Sequence, residues 1–141
     1  RQLGATHAID ARAKDAADQI RAAVGPAGAD VAIETTGSAR VIELAYELTH
    51  KDGRTILVGV PRTGDKALIY TLPLHFRKVL TGSEGGSSRP EVDIPNLVRL
   101  SKAGKLDIRK LITARYPFER INDAIADIQA GKIVGRCVIR F

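Results

Sequence analysis

The sequence predicts an α/β chain: part of a doubly wound parallel sheet, followed by an α+β C-terminal segment. Three observations carry this. Apolar, β-branched runs alternate with amphipathic helical stretches up to about Glu84. Thr55–Val60, TILVGV, is almost continuously apolar, as strands covered on both faces of a parallel sheet are. Beyond Glu84 the alternation lapses, so a boundary is placed there, giving segments 1–84 and 85–141.

Taken in order, a helix end over Arg1–Gly4 leads into the run His7–Asp10. A helix follows over Lys14–Val24, with Ala17, Ile20, Ala23 and Val24 at helical spacing and Gly25-Pro26 as its stop. Asp30–Thr36 reads as a strand halted by Gly37, and Ser38 can cap a helix over Ala39–Thr49 with Val41, Ile42, Leu44, Ala45 and Leu48 inward. Lys51-Asp52-Gly53 turns the chain into the strand Thr55–Val60, which Pro61 and Gly64 end. Ala67–Tyr70 is a short strand candidate, Pro73–Arg77 a helical turn, and Lys78–Ser83 a strand running into Gly82-Ser83-Glu84-Gly85-Gly86. In the second segment, helices are expected over Pro95–Ala103 and Asn122–Ala130, ended by Gly104 and Gly131, and extended chain over Ile112–Tyr116 and Arg136–Phe141.

Composition narrows the function. With 141 residues, 44% of them hydrophobic, the chain can bury a core. It carries 22 basic and 16 acidic residues, and residues 1–70 balance at nine of each, so the whole +6 lies beyond Tyr70. Those cations are scattered and aromatics make up only 4%, which argues against nucleic acid and for a solvated surface. No apolar run approaches the roughly 20 residues of a membrane span, and the N-terminus lacks the apolar stretch of a secretion signal. A soluble, cytoplasmic protein is expected. The single Cys137 excludes an intramolecular disulfide framework and, with three scattered His, a Cys-rich zinc site. The absence of any Met, position 1 included, predicts a chain cut from something longer.

No catalytic constellation is legible. His7, His50 and His75 lack a positioned partner and read as structural or exposed. Asp123 and Asp127, one helical turn apart, read as a solvated face, and Cys137 as a small buried hydrophobe. None of the 13 Gly falls into G-x-G-x-x-G, the turn that holds a dinucleotide pyrophosphate. The cluster GSEGG over Gly82–Gly86 fits a plain turn or a close ligand approach equally.

Several separated segments nevertheless agree with one family: QLGATHAID, GADVAIETTGS, ILVGVP, GSEGGSSRPEVDIPNLVRLSKAGKLDIRKLIT and PFERINDAIADIQAGKIVGRCVIRF. In this order they resemble the C-terminal part of the zinc-dependent medium-chain alcohol dehydrogenases, over essentially the whole chain. The resemblance implies that 1–84 is the later half of an NAD(P)-binding Rossmann-type domain. It implies that 85–141 is the segment returning to the catalytic domain. The activity implied is zinc-assisted hydride transfer between an alcohol and NAD(P), giving an aldehyde or ketone. The zinc ligands, proton relay, glycine-rich turn and ribose carboxylate would lie before Arg1.

The resemblance assigns cofactor roles residue by residue. Thr35, Thr36 and Gly37 match a wall of the adenine pocket. The backbone of Val58, Gly59 and Val60 matches the segment under the nicotinamide, where a carbonyl accepts from the carboxamide, and Ser83 and Gly85 match the turn beside it. Arg136 matches an arginine reaching the pyrophosphate, a task that suits its forked guanidinium. Ala67–Tyr70 matches an edge strand at a subunit contact, implying a homo-oligomer. Ser83 and Glu84 are polar where many relatives are small or apolar. In the strand order 3-2-1-4-5-6, His7–Asp10 would be the third strand and Asp30–Thr36 the fourth, without their neighbours. Such a cut sheet predicts borrowed strands, an aggregation-prone edge, or a remnant of a longer enzyme. Two function classes follow: part of an alcohol dehydrogenase, or a cofactor-domain piece acting as an interaction module without turnover.

Overall fold

A computed structural model describes residues 4–141. The helix end expected over 1–4 lies outside them except for Gly4. The chain divides into two compact units, Arg1–Ser88 and Arg89–Phe141.

The first unit contains α1 (Ala16–Val24), β1 (Ala29–Glu34), α2 (Ala39–Leu48), β2 (Thr49–Leu57) and β3 (Val79–Gly82). The strands form one parallel sheet in the order β1-β2-β3, as an α/β doubly wound arrangement requires. Its apolar core is Ala16, Ile42, Tyr46 and Leu48, from the inward stripes of the two helices. Thr55 is fully buried under them and shares a 2.8 Å hydrogen bond with the Thr49 hydroxyl, which donates in turn to the Ala45 carbonyl (2.7 Å). Lys78 closes the C-terminal end of α2. Its ammonium donates to the Thr49 carbonyl (2.8 Å) and lies 4.2 Å from the centre of the Tyr46 ring, so a buried cation meets the negative end of a helix and the face of an aromatic. Burial pushes the Lys78 pKa down, with Glu47 pulling the other way.

The second unit contains α3 (Pro90–Lys102), β4 (Ile112–Pro117), α4 (Ile121–Gln129) and β5 (Arg136–Arg140). β4 and β5 pair in parallel across α4, so the strand–helix alternation continues beyond Glu84. Its sequence signal is weak because burial along β4 alternates and both strands are short, leaving no continuous apolar run.

Four further expectations are corrected. His7–Asp10 is not a strand: no strand among the described residues pairs with it, and unpaired extended backbone gains nothing over solvated coil. Ala67–Tyr70 is irregular as well, because side chains take its backbone bonds. The Leu68 N–H donates to Glu43 Oε1 (2.7 Å) and the Tyr70 carbonyl accepts from the Tyr46 hydroxyl (2.9 Å). β2 starts at Thr49, but Ala29 pairs with Thr49 and Val31 with Arg54, so the intervening residues loop out where the Lys51-Asp52-Gly53 turn is expected. β2 also stops at Leu57, leaving Val58, Gly59 and Val60 beyond the strand. α3 begins at Pro90, five positions before the expected start, because Pro90 opens it, Glu91 and Asp93 lie in its first turn, and the Asp93 carboxylate accepts from the Arg89 N–H (2.7 Å). Pro95 sits inside the helix rather than at its start.

Candidate functional site: three strand ends in register

The last residues of the three strands of the first unit are paired with one another: Glu34 with Leu57, and Leu57 with Gly82. Parallel strands that end in register release their loops along one edge, and in open α/β sheets the carboxyl edge is where ligands bind. Those loops hold eight of the nine residues to which a cofactor role was carried over: Thr35, Thr36 and Gly37 after β1, Val58, Gly59 and Val60 after β2, and Ser83 and Gly85 after β3. The ninth, Arg136, opens β5 in the second unit with its side chain exposed.

The first two loops interlock. A Cβ on Gly59 would stand 2.1 Å from the Gly37 nitrogen, and one on Gly37 would stand 2.3 Å from the Val60 carbonyl oxygen. Gly37 also has φ +70, a conformation that a side chain disfavours. Glycine at both positions is therefore a steric requirement of the backbone contact. The third loop is tied to the second strand through the Ser83 N–H, which donates to the Leu57 carbonyl (2.9 Å), and it tightens as the Gly86 N–H donates to the Ser83 hydroxyl (3.1 Å). Space around Gly85 and Gly86 is open, so GSEGG here is a turn with room for a ligand beside it. Val58 and Val60 are 46% and 88% exposed, apolar surface facing outward at a strand end.

Sequence reasoning passed over Glu34, the residue on which these loops converge. It is only 2% exposed, and its carboxylate accepts from the Thr36 N–H (2.5 Å), the Thr36 hydroxyl (2.5 Å) and the Gly37 N–H (3.0 Å). Its own carbonyl accepts from the N–H groups of Val58 (2.8 Å) and Gly59 (3.0 Å). Burial alone would raise its pKa, but the bonds from Thr36 and Gly37 outweigh burial and hold the carboxyl below its ordinary value. The available signal was an acidic residue ending a strand directly after the apolar run Val31-Ala32-Ile33. Also unforeseen is an open cleft of about 580 Å³ at the start of α2, lined by Thr36, Gly37, Ser38 and Val60 together with Arg40, Arg62, Lys66 and Asp65. Among the described residues none of these four charged groups belongs to an ion pair. The excess of cations beside a helix N-terminus suits an anionic, polar ligand. No spacing in the sequence marks these cations, because they come from separate segments.

The open carboxyl edge and the cations of the adjoining cleft fit an anionic, polar ligand. They do not fit zinc: among the described residues no group of three or more His, Cys, Asp or Glu could hold a metal ion.

The model of the zinc-binding dehydrogenase family matches residues 1–103. This chain belongs to the zinc-binding dehydrogenase family. Among its relatives, alcohol dehydrogenase 1 of Trifolium repens is 36% identical over 125 residues, which is 86% of this chain and 32% of that protein. Alcohol dehydrogenase 1 of Oryza sativa subsp. indica is 33% identical across 99% of this chain and 37% of its own length. The crystal structure of benzyl alcohol dehydrogenase from Acinetobacter calcoaceticus superposes with a TM-score of 0.87 at 31% identity, over 99% of this chain and 38% of that one. The family member thus spans about a third of the length of the relatives it matches.

Proposed function

We propose that the chain forms the later half of the NAD(P)-binding domain and the returning C-terminal segment of an alcohol dehydrogenase that moves hydride between an alcohol and NAD(P). The observation that carries this reading is the register of Glu34, Leu57 and Gly82, which brings three glycine-bearing loops to one sheet edge. Bound NAD(P) would supply the hydride acceptor. This chain's residues would place it: Thr35, Thr36 and Gly37 against the adenine, and the backbone of Val58, Gly59 and Val60 with Ser83 and Gly85 along the nicotinamide, where a carbonyl accepts from the carboxamide. Arg136 would meet the pyrophosphate with a guanidinium fork. Zinc has no ligands among the described residues, so no step is assigned to it here.

The domain division at about Glu84, the cytoplasmic location and a homo-oligomer through Ala67–Tyr70 belong to the same proposal. Leu68 and Tyr70 are 87% and 68% exposed, apolar surface of the kind a subunit contact covers. Among the described residues no helix is long and apolar enough to cross a membrane.

The test is titration of the full chain with NADH, followed by nicotinamide fluorescence. Saturable enhancement competed by ADP-ribose is expected. Arg136→Ala should weaken NADH binding about tenfold, by loss of one charge-assisted contact, and flatten its salt dependence. Absence of dinucleotide binding overturns the proposal and leaves the interaction module without turnover.

A further inference from the structure

We propose that Glu34 is a positioning residue for the dinucleotide: its buried carboxylate fixes the adenine-side loop, against which the nicotinamide-side loop packs at Gly37 and Gly59. The inference rests on the cofactor reading above and goes beyond it, because Glu34 is assigned no ligand contact.

Three facts support it. First, Glu34 bonds to both loops at once and through different atoms. Its carboxylate takes the donors of Thr36 and Gly37, and its carbonyl takes those of Val58 and Gly59. Second, the two loops touch where Gly37 and Gly59 leave no room for a side chain, so a small shift of one displaces the other. Third, a turn this short can be closed by a neutral side chain, whereas a carboxylate only 2% exposed must be fully hydrogen-bonded to persist. Charge-assisted bonds are shorter and stronger than neutral ones, and they give a stiff turn. They also occupy the N–H groups of Thr36 and Gly37. Anionic groups of a ligand in the adjoining cleft must then be met by side chains, and Arg40, Arg62 and Lys66 line it.

The test compares the full chain with its Glu34→Gln and Glu34→Asp variants, with NADH as the probe. Glu34→Gln keeps the shape and removes the charge. It should weaken NADH binding by about 10- to 100-fold, the loss expected for bonds to a charged group. In the full-length enzyme, KM for the cofactor should rise while kcat at saturation stays within roughly threefold, the pattern of lost ground-state binding. Hydrogen exchange should accelerate at the amides of Thr36, Gly37, Val58 and Gly59 together. Glu34→Asp, which retains the charge one methylene further back, should recover part of the affinity. A folded Glu34→Gln protein that binds NADH within twofold of the parent overturns the proposal. So does a fall in kcat as large as the fall in kcat/KM, since that would place Glu34 in the reacting step. If Glu34→Gln does not fold, Glu34→Asp is judged alone, and parental affinity in it overturns the proposal. A parent chain that binds no NADH overturns the cofactor reading and this inference with it, whereas binding by the parent and both variants alike overturns this inference only.

Discussion

The two units repeat one construction with different results. In each, a strand, a helix and a second strand make a parallel pair: β1–α2–β2 in the first and β4–α4–β5 in the second. In each, a single residue pairs before the register slips, and a glycine beside that pair lies close to the neighbouring backbone. A Cβ on Gly53 would stand 2.7 Å from the Asp30 carbonyl oxygen, and one on Gly135 would stand 2.7 Å from that of Leu111. Burial separates them. α2 buries Ile42, Tyr46 and Leu48, while α4 buries only Ala124 and α3 buries nothing. The strand ends differ as well: those of the first unit enter interlocked loops, and β4 ends at Pro117 ahead of a short helical turn. A parallel pair becomes a candidate site when its carboxyl edge carries loops held together, and the Glu34 bonds with the Gly37–Gly59 contact do that in the first unit.

The most damaging test of this contrast is a single methyl group. Gly59→Ala puts a carbon 2.1 Å from the Gly37 nitrogen, with backbone on both sides and no flexible side chain to yield. A loss of about 3–5 kcal/mol is expected from forced overlap of this kind, seen as early denaturant unfolding of the first unit. Gly135→Ala in the second unit meets the Leu111 oxygen at 2.7 Å and has φ +118. Strain of that sort costs about 1–3 kcal/mol. Equal effects would remove the distinction between the two strand edges.

Core truncation comes next. Ile42 is 6% exposed in α2 and Ile128 is 54% exposed in α4. Ile42→Ala should cost about 2–5 kcal/mol, as buried large-to-small changes do. Ile128→Ala should cost about 1 kcal/mol or less, because most of the side chain already meets water. Chemical denaturation of each variant, with amide exchange to assign the unit affected, reads both.

The same contrast decides what the sequence disclosed. β1, α2 and β3 were legible because their apolar runs and helical stripe stand out in the sequence, although Val31 and Ile33 of β1 are 52% and 63% exposed, and the resemblance placed Thr35–Gly37, Val58–Val60, Ser83 and Gly85 on what became one edge. Sequence overstated His7–Asp10 and Ala67–Tyr70, where apolar content suggested strands but no ladder partner exists among the described residues. It understated the β4–α4–β5 unit, whose strand β4 interleaves charged and polar residues with apolar ones. Glu34 escaped notice because its importance lies in four backbone donors and one hydroxyl, none of which has a residue-type signal except Thr36.

Acid should act on both units through different groups. In the second, Lys132 foremost and then the Tyr116 hydroxyl hold the Asp127 carboxyl below its ordinary value, through 2.8 Å bonds. In the first, the bonds from Thr36 and Gly37 do the same for Glu34 against the opposing effect of burial. A carboxylate with a lowered folded pKa contributes stability that is complete above its unfolded value and is lost as pH falls through the folded one. Stability of both units should therefore fall below the ordinary carboxylate range and be flat above it. Glu34→Gln should flatten the acid limb for amides of the first unit and leave that of the second intact. A limb unchanged in the first unit would show that Glu34 is not the titrating group.

The smallest effect belongs to the surface. Arg77 reaches Asp52 with two bonds of 3.1 Å, but its side chain is 76% exposed and that of Asp52 31%. Exposed pairs contribute about 0.2–1 kcal/mol and are screened by salt, so Asp52→Asn should lower stability by about that amount in dilute buffer and by less in molar salt. Asp127 in the second unit also holds a lysine, Lys132, yet it accepts from Tyr116 too. Asp127→Asn should therefore cost more than Asp52→Asn, and salt should erase less of the loss, because a weakened tyrosine hydrogen bond is not an ionic term. Urea melts of the two variants at low and high salt give the comparison directly. If both lose their effect equally in salt, the Tyr116 hydroxyl adds nothing to what Lys132 supplies.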